Sequence, residues 1–233
     1  MQLISIPKTT FPKIKEPMNA TFINEPIVSL SSLQNFGIRF EPKYYLQNIP
    51  GATKNIYARK KLMRLLLKAE KSLPDGYHLK IYDAYRPIKV QQYLWDKYRN
   101  KILENPINAD KTSEEIDELT SHFVSKPSYD INCPSVHNTG GAVDLTIVDD
   151  NDNELDMGTE FDDFTDKAWT DYYEHNNIDE NIRNNRRLLY TVMKNTGFTN
   201  LPSEWWHYDY GTKFWAHYNR QPMKYLGVLE IKE

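Results

Sequence analysis

Two histidines and two carboxylates in this chain have the types and spacing that could bind a metal ion and activate water. His137 stands seven residues before Asp144, and Glu204 stands three residues before His207. Two imidazoles and one carboxylate suit Zn²⁺, and the resulting net charge of about +1 would bring a bound water toward a neutral pKa. We therefore predict that His137, Asp144 and His207 bind one Zn²⁺ per chain. A carboxylate outside the ligand set must take the proton of the water, and Glu204 is the predicted general base and later acid.

Taken alone, each of these motifs has an ordinary structural explanation. Asp144 would lie on a strand among apolar residues, where a buried Asp bonded to backbone amides produces the same pattern. A Glu-x-x-His spacing often arises by chance. The two motifs together favour a zinc site, and the indoles of Trp205 and Trp206 would line its pocket and help to exclude water.

Arg86 places a cation at the junction between a predicted strand and a predicted helix, within the segment Asp-Ala-Tyr-Arg-Pro at 83–87. A surface salt bridge is the usual role of an arginine. Near a zinc ion, however, a guanidinium would stabilise the oxyanion of a tetrahedral intermediate. Arg86 is therefore a second candidate catalytic residue.

Hydrophobic periodicity predicts the helices that must support these residues. Apolar residues recur at helical spacing in the stretches 62–73 and 90–102, and from 182 to a helix end at Gly197. A further short helix would carry Ile116, Leu119 and Phe123, and Thr112 with Glu115 forms a possible capping box in front of it.

Alternating and β-branched stretches predict strands at 78–85, 142–148 and 205–210. The run Asp-Asp-Asn-Asp-Asn at 149–153 predicts a hairpin turn that leads into a further strand around 154–157. Helices and strands in this order predict an α+β fold. We expect a single domain in which helices flank a central antiparallel sheet and the zinc site lies on that sheet.

Proline content separates the first part of the chain from the rest. Residues 1–50 contain six of the 13 prolines and only short apolar runs. This composition predicts an irregular N-terminal arm packed on the body. Residues 51–233 would form the catalytic domain, and both parts together would make one globular unit.

The composition excludes several classes of protein. The 39% hydrophobic and 26% charged residues are ordinary for a soluble globular chain. The net charge of −3 comes without a basic stripe, so nucleic acid is not an expected partner. Cys133, the single cysteine, excludes a disulfide framework and a thiolate-rich zinc site. The first residues have no basic start, and Pro7 interrupts their apolar run, so we expect a cytoplasmic protein without membrane insertion.

Three motifs resemble, in their order along the chain, the D-alanyl-D-alanine dipeptidases of the VanX type. They are Asp-Ala-Tyr-Arg-Pro at 83–87, Ser-x-His-x-x-Gly-x-Ala-x-Asp at 135–144 and Glu-x-Trp-His at 204–207. The motif at 135–144 also occurs in zinc D,D-carboxypeptidases and L,D-endopeptidases of peptidoglycan. The Trp-Trp-His form, the Asp-Ala-Tyr-Arg segment and Met-Gly-x-x-Phe-Asp at 157–162 narrow the resemblance to dipeptidases, and Asn-Arg-Arg-Leu-Leu at 185–189 is a further similarity.

The resemblance implies zinc-dependent hydrolysis of a small peptide substrate, the free dipeptide D-Ala-D-Ala. It implies the same zinc ligands and the same base as the residue types do. Arg86 would hold the scissile carbonyl oxygen, and Asp83 would orient its guanidinium. Asp162 would accept the free ammonium of the substrate, and Ser135 would lie close to the substrate.

The resemblance also implies a pocket tyrosine from the N-terminal segment, for which Tyr44 and Tyr45 are the candidates. It extends from about residue 50 to about residue 210. The stretch that follows Tyr210 matches none of the motifs.

Two other functions compete with the dipeptidase. The first is a zinc D,D-carboxypeptidase or L,D-endopeptidase that acts on peptidoglycan stem peptides. The second is a non-catalytic zinc-binding module used for recognition. Glu204 disfavours the module, because a purely structural zinc has no use for a base beside it.

Overall fold

The computed structural model describes residues 1–12, 14, 20–121, 124–175 and 179–231, whose strands form two sheets. The strands are β1 (Ile27–Ser29), β2 (Arg39–Phe40), β3 (Tyr57–Arg59), β4 (Tyr77–Asp83), β5 (Ala142–Asp149), β6 (Thr199–Asn200) and β7 (His207–Asp209). The first sheet is an antiparallel pair of β1 and β3, and the central sheet has the strand order β2-β4-β5-β7-β6. The predicted α+β class is confirmed.

Helices of unequal length accompany the central sheet. They are α1 (Lys43–Leu46), α2 (Lys60–Glu70), α3 (Ile88–Leu103), α4 (Ser113–Ser121), α5 (Tyr172–His175), α6 (Glu180–Asn195) and α7 (Lys213–Asn219). None of the helices within the described residues is both long and apolar enough to span a bilayer.

The central sheet is mixed, and the prediction of an antiparallel sheet is wrong at one edge. Strand β2 runs parallel to β4, whereas the other neighbours in the sheet pair antiparallel. A parallel pair needs a crossover connection, and the chain between β2 and β4 makes one through α2. The sequence pattern did not reveal this edge because β2 has only two residues.

The capping box before α4 is confirmed. The backbone N–H of Thr112 donates to Glu115 Oε2 at 2.8 Å, and the N–H of Glu115 donates to Thr112 Oγ1 at 3.3 Å. This reciprocal pair satisfies two backbone donors that a helix start leaves free. Ile116 is fully buried beneath it, and Phe123 lies outside the described residues.

The predicted hairpin after β5 is wrong, because its second strand does not form. The turn exists, and Asp149 Oδ1 accepts from the N–H groups of Asn151 and Asn153 at 2.8 and 2.9 Å. Beyond it the chain makes only an isolated bridge between Val148 and Glu154. This bridge lies beyond the part of β5 that pairs with β7, which ends at Asp144, so the returning chain meets the free edge of β5 at one residue pair only.

Part of the predicted N-terminal arm is regular and reaches the core. Strands β1 and β2 and helix α1 lie within residues 1–50. Leu30, Leu33 and Ile38 are almost fully buried in the main hydrophobic cluster beneath the sheet. The division of the chain at residue 50 stays a prediction, and Pro17 lies outside the described residues.

His78 joins α2, β4 and the turn after β5, and it should make stability depend on pH. Its Nδ1 lies 2.7 Å from Glu70 Oε1, and its Nε2 lies 3.1 Å from Asp150 Oδ1. The hydrogen bond to Glu70 raises the pKa of His78 above its usual value. A raised pKa means that the stabilisation is complete below the unfolded pKa of about 6.5 and is lost as pH rises through the folded value.

We therefore expect His78→Gln to lower the free energy of unfolding by about 1 kcal/mol or less at pH 6, and by a smaller amount at pH 9. Urea unfolding of the parent and the variant at both pH values measures the difference. His217→Gln changes an exposed histidine and serves as the control. An equal loss at both pH values would contradict the ion-pair explanation.

Candidate active site

Strand pairing brings two of the predicted zinc ligands together. Asp144 on β5 lies directly opposite His207 on β7 in the antiparallel register. His137 begins a short 3-10 turn just before β5, and that turn ends at Gly140, whose φ of 70° favours glycine. The turn folds His137 back over the start of the strand. All three side chains are buried, with exposed fractions of 4% or less.

The three donor groups converge at distances that suit a tetrahedral metal ion. His207 Nδ1 lies 3.0 Å from Asp144 Oδ1, and His137 Nε2 lies 3.3 Å from Asp144 Oδ2. The two imidazole nitrogens are 3.1 Å apart. Ligands about 2.0–2.2 Å from a tetrahedral zinc are separated from one another by roughly 3.3 Å. The residues present therefore fit Zn²⁺ in both chemistry and spacing.

Hydrogen bonds on the far side of each ring determine which nitrogen faces the cluster. His137 Nδ1 lies 2.8 Å from the carbonyl oxygen of Ala84, which can only accept, so this nitrogen carries a proton and Nε2 offers a lone pair. His207 is turned the other way round, since its Nε2 lies 3.0 Å from Asp209 Oδ2 and its Nδ1 faces Asp144.

The pKa values of the two carboxyl groups at the cluster are shifted in opposite directions. Burial opposes ionisation of Asp144, but His137 and His207 outweigh it and hold the pKa of this carboxyl well below its usual range. Glu204 Oε2 lies 3.8 Å from His207 Nδ1, at the edge of the cluster. Burial raises the pKa of Glu204 to about 8, while His207 acts to lower it. A divalent cation at the cluster would favour the ionised form of both carboxyl groups.

Each nitrogen of the Arg86 guanidinium has a side-chain acceptor. Nε donates to Asp83 Oδ2 at 2.8 Å, Nη2 to Asp144 Oδ2 at 3.1 Å and Nη1 to Gln91 Oε1 at 3.1 Å. The contact with Asp83 is the one that an orienting role requires. Gln91 is buried and was missed by the sequence analysis, because nothing in the pattern of α3 distinguishes it from the other polar residues of that helix.

Asp162 and Tyr44 meet at the wall of the same site. Tyr44 Oη donates to Asp162 Oδ2 at 3.1 Å, and the Arg86 guanidinium carbon lies 4.8 Å from the centre of the Tyr44 ring. Burial raises the pKa of Asp162 to about 7, although Arg86 acts to lower it. Of the two candidate tyrosines, Tyr44 is buried beside Asp162, whereas Tyr45 is 42% exposed.

Arg186 supports the loop that carries Asp162. Its guanidinium donates to the carbonyl oxygens of Met157, Lys167 and Trp169 at 2.6–2.7 Å. These three bonds tie both ends of the loop to helix α6. They give a structural reason for the similarity noted at 157–162 and at 185–189.

A cavity of about 680 Å³ adjoins the cluster. Its described lining includes the three predicted ligands, Arg86, Asp162, Glu204, Ser135 and Trp206. It continues along one face of α3, where it is lined by Gln91, Leu94, Tyr98, Lys101 and Glu104.

Trp205 was predicted to line the pocket, but it is not among the described residues that do so. Its Nε1 donates to Thr159 Oγ1 at 2.8 Å, and its ring is turned 88° from that of Trp206. Neighbouring side chains along this segment diverge, so one indole faces the cavity and the other supports the Asp162 loop.

A buried His-Asp-His cluster with a glutamate beside it, at the wall of a cavity, is the arrangement of a metallohydrolase. The family model described as D-Ala-D-Ala dipeptidase, peptidase M15, matches residues 38–226. The chain belongs to this family of zinc metallopeptidases, and the family expected from the motifs is confirmed.

Individual relatives agree with the family match. The D-alanyl-D-alanine dipeptidase of Synechocystis sp. is 30% identical over 191 residues, which are 72% of this chain and 77% of that protein. The D-alanyl-D-alanine dipeptidase of Enterococcus faecium is 31% identical over 181 residues, 74% of this chain and 85% of that protein. Among solved structures, VanYB in complex with D-Alanine-D-Alanine aligns with a TM-score of 0.41 and 17% identity over 73% of this chain and 82% of that one.

Proposed function

We propose that this protein hydrolyses the free dipeptide D-Ala-D-Ala to two molecules of D-Ala in a zinc-dependent reaction. The observation that carries the proposal is the convergence of His137, Asp144 and His207 within 3.0–3.3 Å of one another, with Glu204 at the edge of the cluster. These three residues would hold the zinc. Bound zinc would supply a Lewis acid that polarises the scissile carbonyl and lowers the pKa of a water.

Glu204 would move the protons of the reaction. Its carboxylate would take a proton from the attacking water and return it to the nitrogen of the leaving D-Ala. A carboxyl whose pKa is raised toward neutrality can both accept and return a proton near pH 7, and burial raises the pKa of Glu204 in this direction.

Arg86 would stabilise the negative charge that develops on the carbonyl oxygen. Its guanidinium is already held by Asp83, Asp144 and Gln91, so no reorganisation is needed when the oxyanion forms. Because a preorganised cation in a cavity acts more strongly than one in water, Arg86 would favour the transition state over the planar substrate.

Asp162 would bind the free ammonium of the dipeptide, and Tyr44 would hold the Asp162 carboxylate in place through its hydrogen bond. Asp162 has a left-handed backbone conformation, with a φ of 61°. It lies in the loop that Arg186 holds through hydrogen bonds to backbone carbonyls. An ammonium would restore the charge of a carboxylate whose pKa burial raises to about 7. The pairing of Asp162 with an ammonium would select substrates with a free amino terminus.

We expect Asp162→Asn to raise KM for D-Ala-D-Ala by about 10- to 100-fold with a smaller change in kcat, because one charged hydrogen bond is lost. Steady-state kinetics measure both constants. Asp163→Asn, one residue further along the loop, should leave KM unchanged. An equal loss of activity on an N-acylated peptide, which has no ammonium, would contradict this role.

The length of the cavity favours a second candidate, a peptidase of peptidoglycan stem peptides. The face of α3 from Gln91 to Glu104 spans about 20 Å, whereas an extended dipeptide spans about 7 Å. The cavity therefore has room for a longer peptide. In that case the substrate would be cleaved at a terminal D-Ala or at an L,D-bond.

One assay separates these functions. D-Ala release is measured from D-Ala-D-Ala and from an acylated tripeptide ending in D-Ala-D-Ala, with a chelator and with zinc added back. We expect cleavage of the free dipeptide, lost with chelator and restored by zinc. Faster cleavage of the acylated peptide would decide for the stem-peptide enzyme. Tight zinc binding without hydrolysis of any D,D- or L,D-peptide would instead support the non-catalytic zinc-binding module.

A further inference from the structure

Asp209 is a buried carboxylate that faces the outer side of a predicted zinc ligand. It lies two residues after His207 on β7, so both side chains point to the same face of the sheet. The residue has no exposed surface, and its Oδ2 lies 3.0 Å from His207 Nε2. Burying a carboxylate costs free energy unless the group is paired, so the contact with His207 must offset part of this desolvation penalty.

Thr212 holds the other oxygen of the same carboxylate. Thr212 Oγ1 donates to Asp209 Oδ1 at 2.7 Å and also accepts from the N–H of Trp215 at 3.3 Å, where it caps α7. The carboxylate is thereby fixed on both oxygens. The stretch after Tyr210, which matched no motif in the sequence, anchors the back of the site through this cap.

The two imidazoles of the cluster differ in the hydrogen-bond partner of the ring nitrogen that faces away from the cluster. The nearest partner of His137 Nδ1 is a neutral backbone carbonyl, that of Ala84 at 2.8 Å. Asp83 Oδ2 is further from the same nitrogen, at 3.5 Å, and accepts from Arg86. His207 instead faces a full negative charge at hydrogen-bond distance.

We propose that Asp209 is a positioning residue for His207: it keeps the proton on Nε2, presents Nδ1 to the metal and strengthens that nitrogen as a donor. The chemistry is that of a carboxylate behind a metal-bound imidazole, which orients the ring and raises its basicity. With zinc bound, Zn²⁺ and Asp144 would together carry a net charge of +1. Counting Asp209 as well, the net charge of the group would be about zero. This inference rests on the proposed zinc site and not on the identity of the substrate.

Asp209→Asn tests the proposal, because Asn keeps the shape and an acceptor for His207 but removes the charge. Zinc affinity is measured by competition with a chelator of known affinity. We expect binding about 10- to 100-fold weaker than in the parent, and a shifted visible absorption spectrum when Co²⁺ replaces zinc.

Asp171→Asn is the matched control. Asp171 is also a buried carboxylate that faces a histidine, with Oδ2 at 3.2 Å from His175 Nε2, but neither residue belongs to the predicted metal cluster. The zinc affinity of the Asp171→Asn variant should equal that of the parent. Affinity of Asp209→Asn within threefold of the parent, or equal weakening in both variants, would overturn the proposal.

A measurement on the unmodified protein covers the case in which Asp209→Asn does not fold. ¹⁵N NMR of the zinc-loaded parent distinguishes protonated from metal-bound ring nitrogens. His207 should be protonated at Nε2 and bound through Nδ1, and the reverse would overturn the proposal. Since neither measurement uses turnover, a failure to hydrolyse D-Ala-D-Ala would overturn the proposed substrate and leave this inference standing.

Discussion

Glu204→Gln is expected to lower kcat for D-Ala-D-Ala by about 10²- to 10⁴-fold, the usual contribution of a positioned general base. The amide has the shape of the carboxylate but cannot accept the proton of the water. Glu204 Oε2 lies 3.8 Å from the ligand atom of His207, so the side chain is near the metal position without being one of the three convergent donors. Zinc content should therefore remain one per chain.

Steady-state kinetics and metal analysis of the same preparation measure both quantities. Glu104→Gln makes the same chemical change at the far end of the same cavity, about 20 Å along α3 from Gln91, and should leave kcat unchanged. Near-normal turnover of Glu204→Gln would remove this residue from the role of base. Loss of zinc together with turnover would instead make Glu204 a ligand.

Asp144→Asn is expected to have the largest effect on metal binding. The carboxylate contacts His207 Nδ1 at 3.0 Å, His137 Nε2 at 3.3 Å and Arg86 Nη2 at 3.1 Å, so one substitution affects the ligand cluster and the guanidinium together. Loss of an outer-sphere partner alone weakens metal binding by about 10- to 100-fold, and loss of a ligand should weaken it by at least about 100-fold. Turnover at equimolar zinc should fall to background.

The same substitution should destabilise the protein before zinc is added. Removing one partner of a buried ion pair costs about 3–5 kcal/mol, because the partner that remains is left uncompensated. Urea unfolding measures this loss, and chelator competition measures the zinc affinity. Asp117→Asn also breaks ion pairs, with Arg99 at 2.7 Å and Lys126 at 2.9 Å, but on the surface of α4, where water screens the charges, and it should cost much less. Unchanged zinc affinity in Asp144→Asn would exclude this residue as a ligand.

Local chemistry made much of the site predictable from the chain alone. His137 and Asp144 are seven residues apart, so a turn at Gly140 followed by a strand is sufficient to bring them together. Glu204 and His207 are three residues apart, and Arg86 is three residues from Asp83. Spacing of this kind is a property of short segments, which is why residue types and motifs indicated a zinc hydrolase before the fold was known.

The sequence also contains a signal for the position of Asp209. Asp209 follows His207 by two residues on a predicted strand, so the pattern places both side chains on one face. By contrast, nothing in the sequence marks Gln91 as the acceptor for Arg86 or Tyr44 as the partner of Asp162. These contacts join segments that are remote in the chain or ordinary in pattern.

The sequence by itself determined the α+β class and the family and predicted the donor set, because these depend on residue types and on short spacings. Only the tertiary structure decided that Asp144 lies opposite His207, that β2 joins the sheet in parallel and that no second hairpin strand follows β5. Each of these depends on long-range strand pairing and on how distant segments pack. Periodicity shows which face of a strand is apolar, but the choice of neighbour is made by long-range pairing, which no local pattern encodes.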